Sequence, residues 1–231
     1  MAIEKFNRKE QKYFIDGITY QKLLNRINDK IIPDKYFKEK ICNLYFDTEN
    51  NDLIINSLKK PKYKEKVRLR SYNVPDDDDI VFLEIKKKYN KIVNKRRVCI
   101  PYKDAINYIE NGIIPDTNKQ IMKEIDYCFN RYNLIPKLGI SYDRCAYNSK
   151  DDNGLRITFD NNIRSSKNIV RLDSLEDGDL LFEDGYVMEI KSLNGLPFWL
   201  LEVLDELGIY SRGFSKYGNI YKKMKECEVN V

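Results

Sequence analysis

The chain alternates apolar and polar positions over many short stretches. Val67 and Leu69 are interleaved with Lys66, Arg68 and Arg70. Val81, Leu83 and Ile85 alternate with Phe82, Glu84, Lys86 and Lys88. Leu155, Ile157 and Phe159 alternate with Arg156, Thr158 and Asp160, and Met188 and Ile190 with Val187, Glu189 and Lys191. Residues two apart share one face of a strand, so each stretch predicts a strand with one apolar and one charged face. Further strands are expected over 4–15, 40–46, 94–100 and 138–147. Helices are expected over 20–31, with Thr19 as the N-cap, and over 102–111, 118–132, 197–207 and 215–226. Strands with helices set between them predict an α+β domain with a mainly antiparallel sheet. The acidic run 76–79, next to Pro75, reads as a hairpin tip, and 173–184 as a loop. Phe198 and Trp199 read as helix-packing residues, and Tyr13, Tyr45 and Tyr217 as packing or hydrogen-bonding residues.

The charged faces carry the chemistry. Lys66, Arg68 and Arg70 form one row, Glu84, Lys86 and Lys88 a second, and Lys95 and Arg97 a third. Arg156 and Asp160 share a face, as do Glu189 and Lys191. Such rows on a flat, wetted sheet form a basic patch; in a closed barrel they line a tunnel. Two unit charges 4 Å apart repel by about 4 kcal/mol at an effective dielectric near 20. A few such contacts rival the roughly 5–15 kcal/mol that holds a domain together. A cationic lumen therefore needs interspersed carboxylates, water, or an anion of high charge density such as a triphosphate. Glu10, Glu84 and Glu189 sit among the cations. They either offset the positive charge as ion pairs or hold a divalent cation against phosphate oxygens.

Composition narrows the options. A 33% charged fraction is more than a thin surface layer holds, and 41 Lys and Arg against 36 Asp and Glu leave +5, which suits an anionic partner. There is no histidine in the 231 residues, which excludes Ser-His-Asp and Cys-His catalysis and His-ligated zinc. Any metal is then expected on carboxylate oxygens, as Mn²⁺ or Mg²⁺. Five cysteines without a CxxC read as reduced thiols. Residues 1–8 carry no apolar signal core and no apolar run reaches about 20 residues, so a cytoplasmic protein without a membrane segment is expected. No linker or repeat interrupts 1–231, which reads as one domain.

In order along the chain, Arg8-x-Glu10-x-Lys12-Tyr13, Lys66-x-Arg68-x-Arg70, Phe82-Leu-Glu84-Ile-Lys86, Lys95-Arg96-Arg97, Tyr142-Asp-Arg144, Leu155-Arg156-Ile-Thr-Phe-Asp160, Glu189-Ile-Lys191 and Phe214-Ser215-Lys216-Tyr217 resemble the triphosphate tunnel metalloenzymes. The order is similar to the catalytic domain of vacuolar transporter chaperone (VTC) proteins and their free-standing bacterial relatives. The CYTH branch, of adenylate cyclase and thiamine-triphosphatase type, opens with Glu-x-Glu-x-Lys, and Arg8 departs from that. The resemblance implies a closed eight-stranded antiparallel tunnel with helices packed outside. It implies synthesis of polyphosphate from ATP, with release of ADP. By motif, Lys12, Arg68, Arg70, Lys86, Lys95, Arg144, Arg156 and Lys216 are the implied phosphate ligands, with Arg96 or Arg97 as alternatives to Lys95. Glu189 is the implied metal ligand. The strand rows add Lys66, Arg97 and Lys191 to the phosphate-binding set and Glu10 and Glu84 to the candidate metal carboxylates. The γ-phosphate is expected among Arg68, Arg70, Arg144 and Arg156, and the attacking chain end is already ionised, so no strong base is needed. The alternative on the same fold is an inorganic triphosphatase in which Glu10 orients water. A different class, a non-catalytic binder of polyphosphate or RNA, could use the basic rows and 17 tyrosines. The spread of cations along strands and the lack of an RNP1-type motif argue against nucleic acid. No protein partner is readable.

Overall fold

The computed structural model describes residues 9–90, 92–151, 154–167, 169–175, 178–193 and 195–229. Arg8 and the start of the strand expected over 4–15 lie outside the described residues. The elements run β1 (Lys9–Ile15), α1 (Gly17–Ile27), β2 (Ile31–Asp47), α2 (Asp52–Leu58), β3 (Tyr63–Tyr72), β4 (Ile80–Tyr89) and β5 (Ile92–Pro101). They continue with α3 (Tyr102–Asn111), α4 (Lys119–Tyr132), β6 (Ile135–Ser149), β7 (Arg156–Lys167), a 3₁₀ turn (Leu172–Ser174), β8 (Asp179–Leu180), β9 (Tyr186–Ser192), α5 (Phe198–Glu206) and α6 (Lys216–Val229).

The α+β expectation holds. The strand order is β1-β9-β7-β6-β2-β3-β4-β5, with the two-residue β8 added on β7. Pairing is antiparallel in β1–β9, β9–β7, β2–β3, β3–β4, β4–β5 and β7–β8. The expectation of eight strands closed on themselves goes beyond the observed bonding: among the described residues there are nine, and β1 and β5 end the order without pairing to each other. No helix of the described residues is long and apolar enough to cross a membrane.

Contacts group the described residues into two compact units, one of those within Met1–Glu39, Tyr142–Ile163 and Phe182–Phe214, the other of those within Lys40–Ser141, Arg164–Leu181 and Ser215–Val231. In the first unit the apolar faces of three strands bury Tyr13, Ile15, Ile157, Phe159, Met188 and Ile190 against Tyr20, Leu23 and Ile27 of α1 and Leu200, Val203 and Leu204 of α5. In the second, Leu44, Phe46, Val67, Leu69, Val81, Leu83, Ile85, Val98 and Ile100 meet Tyr102, Ala105 and Ile106 of α3 and Met122 and Ile125 of α4. Each fully buried side chain of this size contributes roughly 1.5–3 kcal/mol. That burial forces the alternate residues, where the Lys, Arg and Glu lie, onto the opposite face.

Several local readings need correction. The N-cap of α1 is Asp16, whose carboxylate accepts from the Thr19 N–H at 2.7 Å; the helix ends at Ile27, and Ile31 begins β2 instead of closing the helix. Phe198 is 74% exposed and does not pack, whereas Trp199 does. The stretch 173–184 is not all loop, since β8 lies within it. Helix α2 has no counterpart among the expected elements. Its N-cap residue, Asn51, makes no side-chain cap, and Asp47 at the end of β2 takes that part. The buried Asp47 carboxylate accepts from the N–H groups of Thr48 (2.8 Å), Leu53 (2.8 Å) and Ile54 (3.0 Å) and from the Tyr217 hydroxyl (2.9 Å). This one carboxylate fixes α2 and the start of α6, the position of Lys216.

Replacing Asp47 with Ala strands four donors, at least two of them buried. The expected loss is about 2–4 kcal/mol of unfolding free energy by denaturant titration. Tyr217→Phe, which removes one hydrogen bond, is expected to cost about 1 kcal/mol. Equal small losses from both would mean that Asp47 does not organise the two helix starts.

Candidate functional site

The charged faces opposite the two cores each carry a lattice of cations and carboxylates. In the first unit, strand register places Glu10, Lys191 and Arg156 in one cross-strand row and Lys12, Glu189 and Thr158 in the next. Glu189 is the centre. Its two oxygens are taken by Lys191 at 2.5 Å and Lys12 at 3.5 Å, and Lys12 also reaches Glu10 at 3.3 Å. Burial works to raise the Glu189 carboxyl, but Lys191, Lys12 and Arg144 hold it well below the usual carboxylate range. Burial likewise opposes the charge on Lys12, and Glu189 and Glu10 outweigh it and raise its ammonium.

The two arginines on this side are held by separate acids. Arg144 makes a bidentate pair with the buried Asp160, Nε to Oδ1 at 2.6 Å and Nη2 to Oδ2 at 2.8 Å. Arg156 Nε donates to Asp34 Oδ2 at 2.8 Å, and Asp34 is itself fixed by the Tyr36 N–H and the Asn148 amide. Asp160 therefore serves Arg144, although it shares a strand face with Arg156. Each guanidinium has five donors, so one carboxylate leaves others for a second anion. Glu39 on β2 lies within the field of both arginines; burial nevertheless raises its carboxyl.

In the second unit three rows are stacked. Arg68, Glu84 and Arg97 are register partners, as are Lys66, Lys86 and Lys95, while Arg70 stands opposite Asn43 and Phe82. Glu84 is almost completely buried. Arg68 binds its Oε2 through Nε (2.8 Å) and Nη2 (2.7 Å), and Lys95 binds Oε1 at 2.5 Å. Burial works to raise the Glu84 carboxyl, yet Arg68, Arg70 and Lys95 bring it from an ordinary 4.5 to about 2. Burial lowers Lys95 to about 8 against the pull of Glu84. Arg70 Nε donates to Asn43 Oδ1 at 2.9 Å, and Asn43 donates to the Ile140 carbonyl. Lys66 donates to Ser215 Oγ at 3.0 Å, beside Lys216, the first residue of α6. Arg97 lies over the Phe82 ring at 4.5 Å, and Lys86 is exposed.

Tyr45 adds to this face. Its hydroxyl accepts from Arg68 Nη1 at 3.1 Å and its ring stands 4.8 Å from that of Tyr217. Burial works against its ionisation, but Arg68, Arg70 and Lys66 bring the phenol down from 10.0 to about 8. The reading of Tyr45 and Tyr217 as hydrogen-bonding residues holds, and Tyr45 also reports the potential of the face.

The structure thus brings together Glu10, Lys12, Arg144, Arg156, Glu189 and Lys191 in one unit. It brings together Lys66, Arg68, Arg70, Glu84, Lys86, Lys95 and Arg97, with Lys216 at a helix start, in the other. No group of three or more cysteines, aspartates or glutamates placed to hold a metal ion occurs among the described residues. Asp34, Glu39, Asn43 and Tyr45 also belong to these faces, and only cross-strand register and tertiary contact reveal them; Thr158 lies on the polar face that its strand's alternation predicts, and register adds that it stands opposite Glu189. A divalent cation at Glu189 fits the donors present. Mg²⁺ and Mn²⁺ take hard oxygen ligands, and Mg²⁺ commonly uses one or two carboxylates with phosphate oxygens and water. Beside the ionised Glu189, the buried hydroxyl of its register partner Thr158 has no hydrogen-bond partner among the described residues.

Two outcomes are expected. Glu84→Gln leaves Arg68 and Lys95 without their anion. It should lower stability by about 2–4 kcal/mol, less than for a wholly buried pair because both cations stay partly hydrated. Added tripolyphosphate should raise Tm more in this variant than in the parent; an equal rise would contradict the charge-balance account. Because the folded carboxyl is depressed, its contribution in the parent is complete above pH about 4.5 and fades as pH falls towards 2. Near-ultraviolet phenolate absorbance should show one tyrosine titrating near pH 8, absent in Tyr45→Phe and moved upward by tripolyphosphate. A transition unchanged in Tyr45→Phe would refute the assignment.

Among solved structures, the chain is similar to a candidate adenylate cyclase from Bacillus halodurans, with a TM-score of 0.56 and 14% identity over 90% of this chain and 95% of that one. It is also similar to a Hippeastrum protein, a candidate adenylyl cyclase in which triphosphatase activity is dominant, with a TM-score of 0.55 and 15% identity over 93% and 96%. At this identity the likeness establishes the fold alone. No match was found among curated proteins. The VTC domain model matches residues 7–225, a span that takes in every motif from Glu10 to Lys216, and the chain therefore belongs to the VTC domain family.

Proposed function

We propose that the protein is a polyphosphate polymerase that transfers the γ-phosphate of ATP to the end of a growing polyphosphate chain. The observation that carries this reading is the setting of Glu189. An ionised carboxylate lies among Lys12, Lys191 and Arg144 on the face opposite the core. A phosphate chain offers oxygens to the same cations and replaces the carboxylate as their counterion. The order of motifs along the sequence assigns Arg68, Arg70, Lys86, Lys95 and Lys216 to the same substrate, and the strand row adds Lys66. The reading includes a closed tunnel and treats 1–231 as one working domain.

Phosphoryl transfer of this kind depends on positioning and charge neutralisation. Arg68, Arg70, Arg144 and Arg156 bind the oxygens of the transferring group. Lys12 and Lys216 hold the neighbouring phosphates in line. A terminal oxygen of the chain forms the new bond to the γ-phosphorus. The bond from that phosphorus to the β,γ-bridging oxygen breaks, and ADP leaves with the electron pair. The nucleophile is ionised at neutral pH, so no histidine or other base is required. Mn²⁺ or Mg²⁺, when bound, would supply Lewis-acid neutralisation of phosphate charge, and Glu189 would hold it.

One observation favours a second reading. The exposed Glu10 carboxylate is paired to Lys12, which places an acid beside a phosphate-binding lysine. Glu10 could there orient water, making the protein an inorganic triphosphatase.

Incubation with ATP and Mn²⁺, with ADP, orthophosphate and long-chain polyphosphate followed separately, distinguishes the readings. ADP with polymer and little orthophosphate is expected. Stoichiometric orthophosphate without polymer moves the assignment to the triphosphatase. Arg156→Ala should reduce kcat by at least about 100-fold, the loss of a transition-state charge contact. Full turnover in that variant would remove Arg156 from the site.

A further inference from the structure

Thr158 is 2% exposed, and its Oγ1 has no hydrogen-bond partner among the described residues. A buried hydroxyl without a partner is costly, and the great majority in folded proteins are satisfied. Valine would have the same shape and an equal preference for a strand without that cost. The hydroxyl therefore calls for a partner beyond those the described side chains give it.

Register identifies that partner. Thr158 on β7 stands directly opposite Glu189 on β9, and Lys12 on β1 is the next residue in the same row. Opposed residues of an antiparallel pair point to the same face with Cβ atoms about 4.5–5.5 Å apart, within reach of a hydroxyl and a carboxylate. Lys191 and Lys12 occupy the two Glu189 oxygens. A bound phosphate chain competes for both lysines and leaves the carboxylate short of donors.

We propose that Thr158 is a positioning residue for Glu189, its hydroxyl donating to the carboxylate once phosphate draws Lys12 and Lys191 away and the carboxylate turns to a divalent cation. The inference rests on the reading of Glu189 as the metal ligand. Thr158 restores one donor to one oxygen and leaves the other for the ion. Groups that orient a ligating carboxylate set metal affinity as well as geometry.

The test is calorimetric titration of Mn²⁺ into protein carrying stoichiometric β,γ-imido ATP, together with thermal unfolding of the ligand-free protein. Thr158→Val should bind Mn²⁺ about 10-fold more weakly, and Thr158→Ser close to the parent. The ligand-free Tm of Thr158→Val should equal or exceed that of the parent, because no bond is lost. A Tm clearly below the parent would show that the hydroxyl is used without ligand and would overturn the proposal. Unchanged Mn²⁺ affinity in Thr158→Val, with binding lost in Glu189→Gln, would overturn the role of Thr158 and leave the metal reading standing. Unchanged affinity in Glu189→Gln would remove the metal reading itself, and this inference with it.

Discussion

Everything on the charged faces depends on carboxylates that stay ionised where burial would protonate them. Glu84 and Glu189 are both drawn well below their ordinary range by neighbouring cations, against the opposing effect of burial. Each is a counterion around which Lys and Arg collect. Without them the cations of each face would repel one another by several kcal/mol, comparable to the whole margin of stability. The arrangement also keeps the cations available. A carboxylate satisfies part of a guanidinium's donor set, and a multiply charged phosphate chain can take the rest or displace it.

The cores explain how such faces are tolerated. Strand alternation ties the two sides of the sheet together: burying Val67, Leu69, Leu83 and Ile85 against α3 and α4 requires Arg68, Glu84 and Lys66 to face the other way. A register slip of one residue would bury the cations in the core and expose the leucines. The apolar face therefore supplies the stability that the charged face spends, the same division of labour recurring on β1, β9 and β7 against α1 and α5.

Alternation also decides what could be read from the sequence. The rows Lys66-Arg68-Arg70 and Glu84-Lys86 are legible because period two is a local property, and α3 falls on the expected residues 102–111. The first half of β2 is not legible: Pro33 and the run Asp34, Lys35, Tyr36 show no alternation, so no local pattern marks Asp34 as the partner of Arg156. Helix α2 was hidden because its capping acid, Asp47, lies on the preceding strand and not at the cap position. Thr158 and Tyr45 are ordinary strand residues until register sets them beside Glu189 and Arg68. Pairings of this kind join residues tens of positions apart, and no local pattern encodes them.

The central claim is that these faces are built for a chain of phosphates and not for anions in general. Calorimetric titration with tripolyphosphate and with orthophosphate, in metal-free buffer at two salt concentrations, tests it most directly. The account predicts that tripolyphosphate binds far more tightly than orthophosphate and weakens steeply as salt rises. Binding of tripolyphosphate no tighter than orthophosphate would contradict it, and the lattices of Lys, Arg and Glu would then be internal ion pairing alone.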